Sequence, residues 1–316
     1  MEVHVVLVPT TLTPMANGVG PVLPRELFDS ILDELGRSFI DRKSLQSCAL
    51  VCTSFRLCAH RLLFRHIVLA SGPEHDLNGP VSIPKEISHI QELYHLLEAD
   101  TYLTSCIRSL VINIDRRADL EGATPQSLGL LPDVLDILYE STSQARGIVQ
   151  LSLSGYSTSD HNTSWHSIST PAQQSLLQLI CGPKTILKKL ALRNLTELPL
   201  EIFARYPPFE ALSFNRVTID GPRAVLTQAA GSALDLSLPQ HLPQAQSLRE
   251  LDWKNGTQSL NKFFQDLSTL LPIKALTCNL QHLSYVSRSG FLSVEDRQRL
   301  RQIVQWSAGS LKTLKM

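Results

Sequence analysis

The apolar positions between residues 23 and 64 follow the spacing of three short amphipathic helices. The first begins near Pro24, because a first helical turn does not need that N–H, and its apolar stripe is Leu27, Phe28, Ile31, Leu32 and Leu35. Asp41 is placed to cap the second helix, whose stripe is Leu45, Cys48, Ala49 and Cys52, with Leu50 and Val51 adding apolar surface on another side. Ser54 is placed to cap the third, whose stripe is Phe55, Cys58, Ala59, Leu62 and Leu63.

These helices carry more apolar side chains than so short a segment can bury by itself. Domains of about forty residues are marginal without a metal, a disulfide or a partner. The pattern therefore predicts that another surface covers part of this segment.

The same residues resemble the F-box, in particular that of a large fungal group. The resemblance is carried by Leu23-Pro24-x-Glu26-Leu27, by Ile31, Leu32, Leu35 and Leu45, and by Ala49-Leu50-Val51-Cys52 with an aromatic at Phe55. It implies docking on a Skp-type adaptor, which connects an F-box protein to a cullin-RING ubiquitin ligase. The adaptor-binding residues that it implies are Leu23, Pro24, Glu26, Leu27, Ile31, Leu32, Leu35, Leu45, Leu50, Val51, Cys52 and Phe55.

Two features depart from the family pattern. Phe55 stands where the family usually has Trp, and the segment 36–40 lengthens the first loop. The alternative to docking is that the three helices form an N-terminal cap on a larger core, with their apolar residues covered from within the chain.

A second pattern recurs after residue 64: an apolar residue, two free positions, Leu or Ile, one free position and another apolar residue. The eight central residues are Ile67, Leu110, Leu151, Leu190, Leu212, Leu251, Leu276 and Leu314. Most steps between them also contain an apolar pattern with helical spacing, such as Leu131, Val134, Leu135 and Leu138. Each unit is therefore predicted to be a strand, a loop and usually a helix.

Strands that alternate with helices favour parallel pairing, and the repetition favours a solenoid. Residues 187–219 look particularly like the leucine-rich repeats found behind fungal F-boxes. The predicted fold is α/β: a disordered segment over 1–21, a three-helix F-box over 22–64, and an irregular leucine-rich-repeat solenoid with a curved parallel sheet over 65–316.

Strand alternation directs Leu190 and Leu192 into the core and Ala191 and Arg193 onto the open face of the sheet. The open face is the predicted site for a target protein, since solenoids often bind through such faces. The principal target-binding candidates are Arg193, Asn215, Asp252 and Lys254, and the same register adds Ser152, Ser154, Ser213 and Asn279.

The charge balance and the cysteines limit the partners, the cellular compartment and the metal sites that the sequence predicts. Lys plus Arg and Asp plus Glu both number 29, so the net charge is zero and nucleic acid is not an expected partner. The six cysteines contain no Cys-x-x-Cys pair and are expected to be buried thiols in the cytoplasm or nucleus. A zinc site from Cys48, Cys52, Cys58 and His60 is the alternative, but Cys52 lies inside the F-box resemblance, so no metal is expected.

No catalytic motif stands out in the sequence, and neither an enzyme nor a cofactor is expected. No stretch approaches the roughly 20 apolar residues that cross a bilayer, so no membrane partner is expected. The resemblance implies a substrate-recognition subunit of a Skp-cullin-F-box ubiquitin ligase that promotes ubiquitin-dependent degradation. The alternative is an adaptor-bound interaction scaffold that takes no part in ubiquitination.

Overall fold

A computed structural model describes most of the chain from Arg42 onward, together with four earlier residues. The described residues are 27, 30, 31, 34, 42–51, 53–71, 85–114, 126–142, 147–155, 162–203, 209–220, 248–254, 260–268, 273–287 and 292–316. The chain divides into two compact units, with the boundary between Ala59 and His60.

The first unit contains helix α1 (Arg42–Val51) and most of helix α2 (Thr53–Leu63). Leu45 and Ala49 of α1 are buried, as is Ala59 of α2, which agrees with the stripes predicted for these helices. Leu27, Ser30, Ile31 and Glu34 are helical, as the first predicted helix requires. The predicted disordered segment 1–21 lies outside the described residues.

The second unit is mixed α/β and is organised around an eight-stranded parallel sheet. Its strands are β1 (His66–Ser71), β2 (Ser109–Ile114), β3 (Gln150–Gly155), β5 (Lys189–Arg193), β8 (Ala211–Asn215), β10 (Glu250–Lys254), β11 (His282–Val286) and β12 (Thr313–Lys315). They lie side by side in chain order, and every neighbouring pair is parallel. The prediction of an α/β fold with a parallel sheet is therefore confirmed.

The strand pairing reproduces the repeat of the sequence at seven of the eight predicted positions. Ile67, Leu110, Leu151, Leu190, Leu212 and Leu251 form a continuous row of paired residues, which continues through Leu283 to Leu314. A shared register follows because each strand must direct the same apolar positions toward the core.

The seventh predicted strand, centred on Leu276, is wrong. Residues Ile273–Thr277 form a short helix, and the strand that pairs with β10 is β11, whose central residue is Leu283. Leu280, Leu283 and Tyr285 repeat the same apolar spacing seven residues later and are all buried.

Helices cover the inner face of the sheet and complete the core. They are α3 (Lys85–Ala99), α4 (Thr101–Cys106), α5 (Gln126–Glu140), α6 (Thr170–Cys181), α7 (Leu260–Leu267), α8 (Ile273–Thr277) and α9 (Val294–Trp306). Their apolar stripes and the inward residues of the strands form one buried cluster. Phe263 of α7 illustrates the packing, because its ring centroid lies 5.3 Å from that of Phe214 and 5.2 Å from that of Trp253.

The step between β5 and β8 is the shortest and uses different connecting structure. It contains β6 (Leu195–Thr196), β7 (Leu198–Pro199) and a 3-10 helix, Leu200–Phe203. β6 pairs with β4 (Thr163–Ser164), which precedes a 3-10 helix at Trp165–Ser167, and β7 pairs with β9 (Ile219–Asp220). The connection between β5 and β8 is too short to contain a longer helix. The buried side chains of Leu200, Ile202 and Phe203 cover this part of the core in place of a helix.

Candidate binding sites

The end of helix α1 presents two large apolar side chains to solvent. Leu50 is 79% exposed and Val51 is 69% exposed, whereas Leu45 and Ala49 of the same helix are buried. Leu45 and Ala49 are four residues apart and therefore share a helix face. The buried stripe thus holds the helix in place, and the next two residues are left without cover.

The preceding segment exposes apolar surface as well. Leu27 and Ile31 are each 50% exposed, and they lie four residues apart on a helical stretch. Phe55 of α2 is half-buried. The other predicted adaptor-binding residues, Leu23, Pro24, Glu26, Leu32, Leu35 and Cys52, lie outside the described residues.

Helices α1 and α2 are joined by a polar contact inside the first unit. The Arg56 Nε donates a hydrogen bond of 3.4 Å to the Ala49 carbonyl oxygen. This carbonyl belongs to the last turn of α1, where backbone acceptors lack helical partners. The contact steadies the helix end that carries Leu50 and Val51.

The second candidate site is the open face of the parallel sheet. Pairing places Arg193 of β5 beside Asn215 of β8, and Asn215 beside Lys254 of β10. Asp252 lies two residues before Lys254 on β10, beside Ser213. The structure therefore brings together the four principal target-binding candidates.

The ends of the strands explain why this row is so regular. β5 and β8 are both followed by a residue with positive φ, Asn194 at 54° and Arg216 at 54°. Asn194 donates from its backbone N–H to the Asn215 carbonyl and from Nδ2 to the Gly155 carbonyl, at 2.8 and 3.2 Å. A Cβ at Gly155 would lie 2.4 Å from the Asn194 carbonyl oxygen, so this approach requires glycine.

Asp252 is the centre of a small polar network on the open face. Its Oδ2 lies 2.7 Å from the Lys254 Nζ and accepts a hydrogen bond of 3.3 Å from the Ser213 hydroxyl. Its Oδ1 and the Oδ1 of Asn215 are shielded from solvent, yet neither has a hydrogen-bond partner within the part of the chain that the structure describes. Buried acceptors of this kind are uncommon in folded proteins.

A shallow depression of about 290 Å³ lies on the same face. Its lining comes from β3, β5, β8 and β10 and comprises Gln150, Lys189, Leu190, Ala191, Ala211, Leu212, Ser213, Glu250 and Asp252. Lys189 and Glu250 were not among the residues predicted from the sequence, although the repeat register already places both on the open face. The strand position predicted for Asn279 is wrong, because this residue lies in a turn after α8.

Among the described residues, the largest resolved pKa shift belongs to Tyr285, a core residue of the second unit. Burial, together with the neighbouring Asp296 carboxylate, raises the pKa of Tyr285 to about 12. Burial likewise raises the pKa of the Cys106 thiol on α4. These shifts favour the protonated hydroxyl and thiol, which is typical of packed side chains and does not create a nucleophile.

The described ranges contain no group of three or more His, Cys, Asp or Glu side chains arranged to hold a metal ion. Within the same ranges, none of the helices combines the length and apolar character needed to cross a membrane. Comparison with family models and with curated proteins yields no match for this sequence.

Proposed function

We propose that the protein is the substrate-recognition subunit of a Skp-cullin-F-box ubiquitin ligase. The first unit is an F-box that docks on a Skp-type adaptor, and the second holds the target protein. The observation that carries this proposal is the exposure of Leu50 and Val51, because both belong to the F-box resemblance and neither is covered. Adjacent exposed apolar side chains favour an interaction surface more than single scattered ones do.

The second unit is an irregular leucine-rich-repeat solenoid in this proposal. Its support is the unbroken row from Ile67 to Leu314, in which each strand adds to the sheet beside the previous one. The unequal steps account for its irregularity: β5 and β8 are joined through a 3-10 helix, whereas β2 and β3 are joined through the 15-residue helix α5.

In this proposal the protein acts by holding the target protein close to the enzyme that transfers ubiquitin. The adaptor joins the protein to the cullin-RING assembly, the open face holds the target, and an enzyme of that assembly transfers ubiquitin. Holding two reactants together raises their effective concentration without any chemistry by the receptor. The protein therefore needs neither catalytic residue nor cofactor, and it acts in the cytoplasm or nucleus with the adaptor and a target protein as partners.

Adaptor binding tests this function directly with two matched substitutions. Val51 ends α1 and is 69% exposed, while Val294 begins α9 and is 74% exposed. In a titration of the full chain with a purified Skp-type adaptor, Val51→Gln should weaken binding about tenfold or more, because a fully buried Val contributes about 1.5 to 3 kcal/mol. Val294→Gln should leave binding unchanged. Absence of binding by the unaltered chain would refute the proposal.

The alternative function is an adaptor-bound scaffold that does not deliver its partner for ubiquitination. It shares the same docking surface, so adaptor binding alone does not separate the two. In cells that carry the Val51→Gln variant, a captured partner should accumulate if the protein is a ubiquitin-ligase receptor. A partner level that stays constant favours the scaffold.

A further inference from the structure

The three central strands of the open face carry charge in a fixed order across the sheet. β5 presents Lys189 and Arg193, whereas β10 presents Glu250 together with Asp252 and Lys254, which form an ion pair with each other. Strand β8 between them presents only Ala211, Ser213 and Asn215, which are uncharged. The face therefore has a basic side and an acidic side with a neutral strand between them.

The opposite charges on the two sides do not pair with each other among the described residues. Lys189, Ala211 and Glu250 form one row, so Lys189 and Glu250 are separated by two strand spacings, roughly 10 Å between backbones. Lys189, Arg193 and Glu250 are all exposed, and none of the three forms an ion pair within the described ranges. The Lys254 ammonium, in contrast, is already paired with Asp252.

Small side chains on β5 and β8 leave space between these two sides. Ala191, Ala211 and Ser213 line the depression of about 290 Å³, with Lys189 at one side and Glu250 and Asp252 at the other. We call this space the β8 trough. It follows the first three residues of β8, Ala211, Leu212 and Ser213, and opens along the strand, so an extended peptide can lie in it.

Asp252, which lines the trough, has one carboxylate oxygen, Oδ1, without a donor among the described residues. This oxygen is shielded from solvent, so it adds negative charge to that side of the trough and is not a contact that an incoming peptide could reach.

We propose that the β8 trough binds an extended segment of a target protein in which acidic and basic residues alternate. In an extended chain, successive side chains point to opposite sides, so alternation separates the two charges. Acidic side chains then face Lys189 and Arg193, and basic side chains face Glu250. The inference deepens the proposed function, on which it rests for the existence of a protein target.

Charge complementarity is the reason for choosing this class of segment. A uniformly acidic segment would place carboxylates against Glu250 and Asp252, and a uniformly basic one would place cations against Lys189 and Arg193. Like charges held in such positions disfavour binding, so both sides of the trough contribute to specificity.

Two synthetic pentapeptides of identical composition test the inference. Their sequences are acetyl-Glu-Lys-Glu-Lys-Glu-amide and acetyl-Glu-Glu-Lys-Lys-Glu-amide, of which only the first separates its charges onto two sides. The full chain is labelled with ¹³C at alanine methyl groups, and the Ala191 and Ala211 resonances are followed during titration. The alternating peptide should shift both resonances and bind at least threefold more tightly than the rearranged one.

Substitutions in the protein provide a second test of the peptide-binding proposal. Lys189→Gln and Glu250→Gln should each weaken binding of the alternating peptide about two- to fivefold, the range of an exposed ion pair. Arg301→Gln removes an exposed charge of α9 and should have no effect. Equal affinity for the two peptides, tighter binding of an all-Glu pentapeptide, or unshifted Ala191 and Ala211 methyl groups would overturn the inference.

The adaptor titration distinguishes failure of this inference from failure of the proposed function. Lys189→Gln and Glu250→Gln should leave adaptor binding intact. If the peptide test fails while the adaptor still binds, the trough is misassigned and the ubiquitin-ligase role stands. If the chain binds the peptide but not the adaptor, the trough is a peptide-binding site and the proposed ubiquitin-ligase role is wrong.

Discussion

The Tyr285 hydroxyl donates a hydrogen bond of 3.1 Å to Oδ2 of Asp296, and both residues are buried. The other carboxylate oxygen of Asp296 accepts from the Asn261 backbone N–H at 2.9 Å. One side chain thereby connects β11, the start of α7 and the start of α9. The arrangement also explains how an acidic residue is tolerated in the interior, since both of its oxygens have donors.

Replacing Asp296 with Ala should destabilise the protein by about 3 kcal/mol, because it leaves one buried and one partly buried donor without acceptors, each costing about 1 to 3 kcal/mol. Tyr285→Phe removes one donor only and should cost about 1 kcal/mol. Urea unfolding of the full chain measures both changes. Gln298→Ala, at an exposed position of the same helix, is the control and should stay within about 0.5 kcal/mol of the unaltered protein. An Asp296→Ala variant as stable as this control would show that the network contributes nothing.

The same contact predicts a loss of stability at alkaline pH. The pKa of Tyr285 rises from the usual value of 10.0 to about 12 on folding, so between these values the folded state holds more protons than the unfolded state. Stability then falls as pH increases. The contribution of Tyr285 should be complete below pH 10 and should disappear as pH passes through about 12.

Unfolding of the unaltered chain and of Tyr285→Phe at a series of pH values measures this contribution by difference. The other tyrosines titrate in both proteins, so their effects cancel in the comparison. The stability advantage of the unaltered chain should shrink between pH 10 and 12. A difference that stays constant across this interval would contradict the raised pKa.

Much of the second unit could be predicted from the sequence because its repeat obeys one physical rule. The residues at Leu190 and Leu212 must point inward on adjacent parallel strands, so the repeat itself defines the register. The same register predicts that Arg193, Asn215 and Lys254 lie in one row, as the strand pairing shows. Lys189 and Glu250 follow from the same register, because both pair with Ala211 of β8.

The error at Leu276 has a physical cause in the local pattern. Ile273, Leu276, Thr277 and Leu280 also follow helical spacing, and Ile273, Thr277 and Leu280 are buried in the structure. When a segment fits both the helical and the strand periodicity, tertiary packing determines its secondary structure. Here the strand that pairs with β10 is the one in which Leu283 lies beside Leu251. The partners of Asp252 were unpredictable for a similar reason, since register brings its neighbours close but does not determine the rotamers that form hydrogen bonds.

Substitutions at the two competing positions distinguish the observed register from the one first predicted. Leu283→Ala should destabilise the second unit by about 2 to 5 kcal/mol, the usual cost of truncating a fully buried leucine. Leu276 is only partly buried beside the core, and Leu276→Ala should cost about 1 kcal/mol. Denaturant unfolding gives both values. If Leu276→Ala is the more damaging change, the strand assignment of β11 is wrong.

The exposed apolar residues of the first unit predict how the chain behaves without an adaptor. Leu27, Ile31, Leu50 and Val51 are each at least half exposed, and such surface promotes self-association. We expect the full chain to form oligomers or aggregates when it is produced alone and to be monodisperse when a Skp-type adaptor is present. Size-exclusion chromatography with light scattering measures the difference.

Three variants separate adaptor docking from general instability as the cause of this self-association. Leu50→Ser with Val51→Ser should reduce it in the isolated chain and should also weaken adaptor binding, because the same side chains serve both contacts. Val294→Ser removes a comparably exposed valine from α9 and should change neither property. Leu23→Ala with Pro24→Ala is expected to weaken the adaptor complex while the parallel sheet remains folded. An isolated chain that is already monodisperse would mean that these side chains are covered from within, as in the N-terminal cap alternative, and that the adaptor is not required.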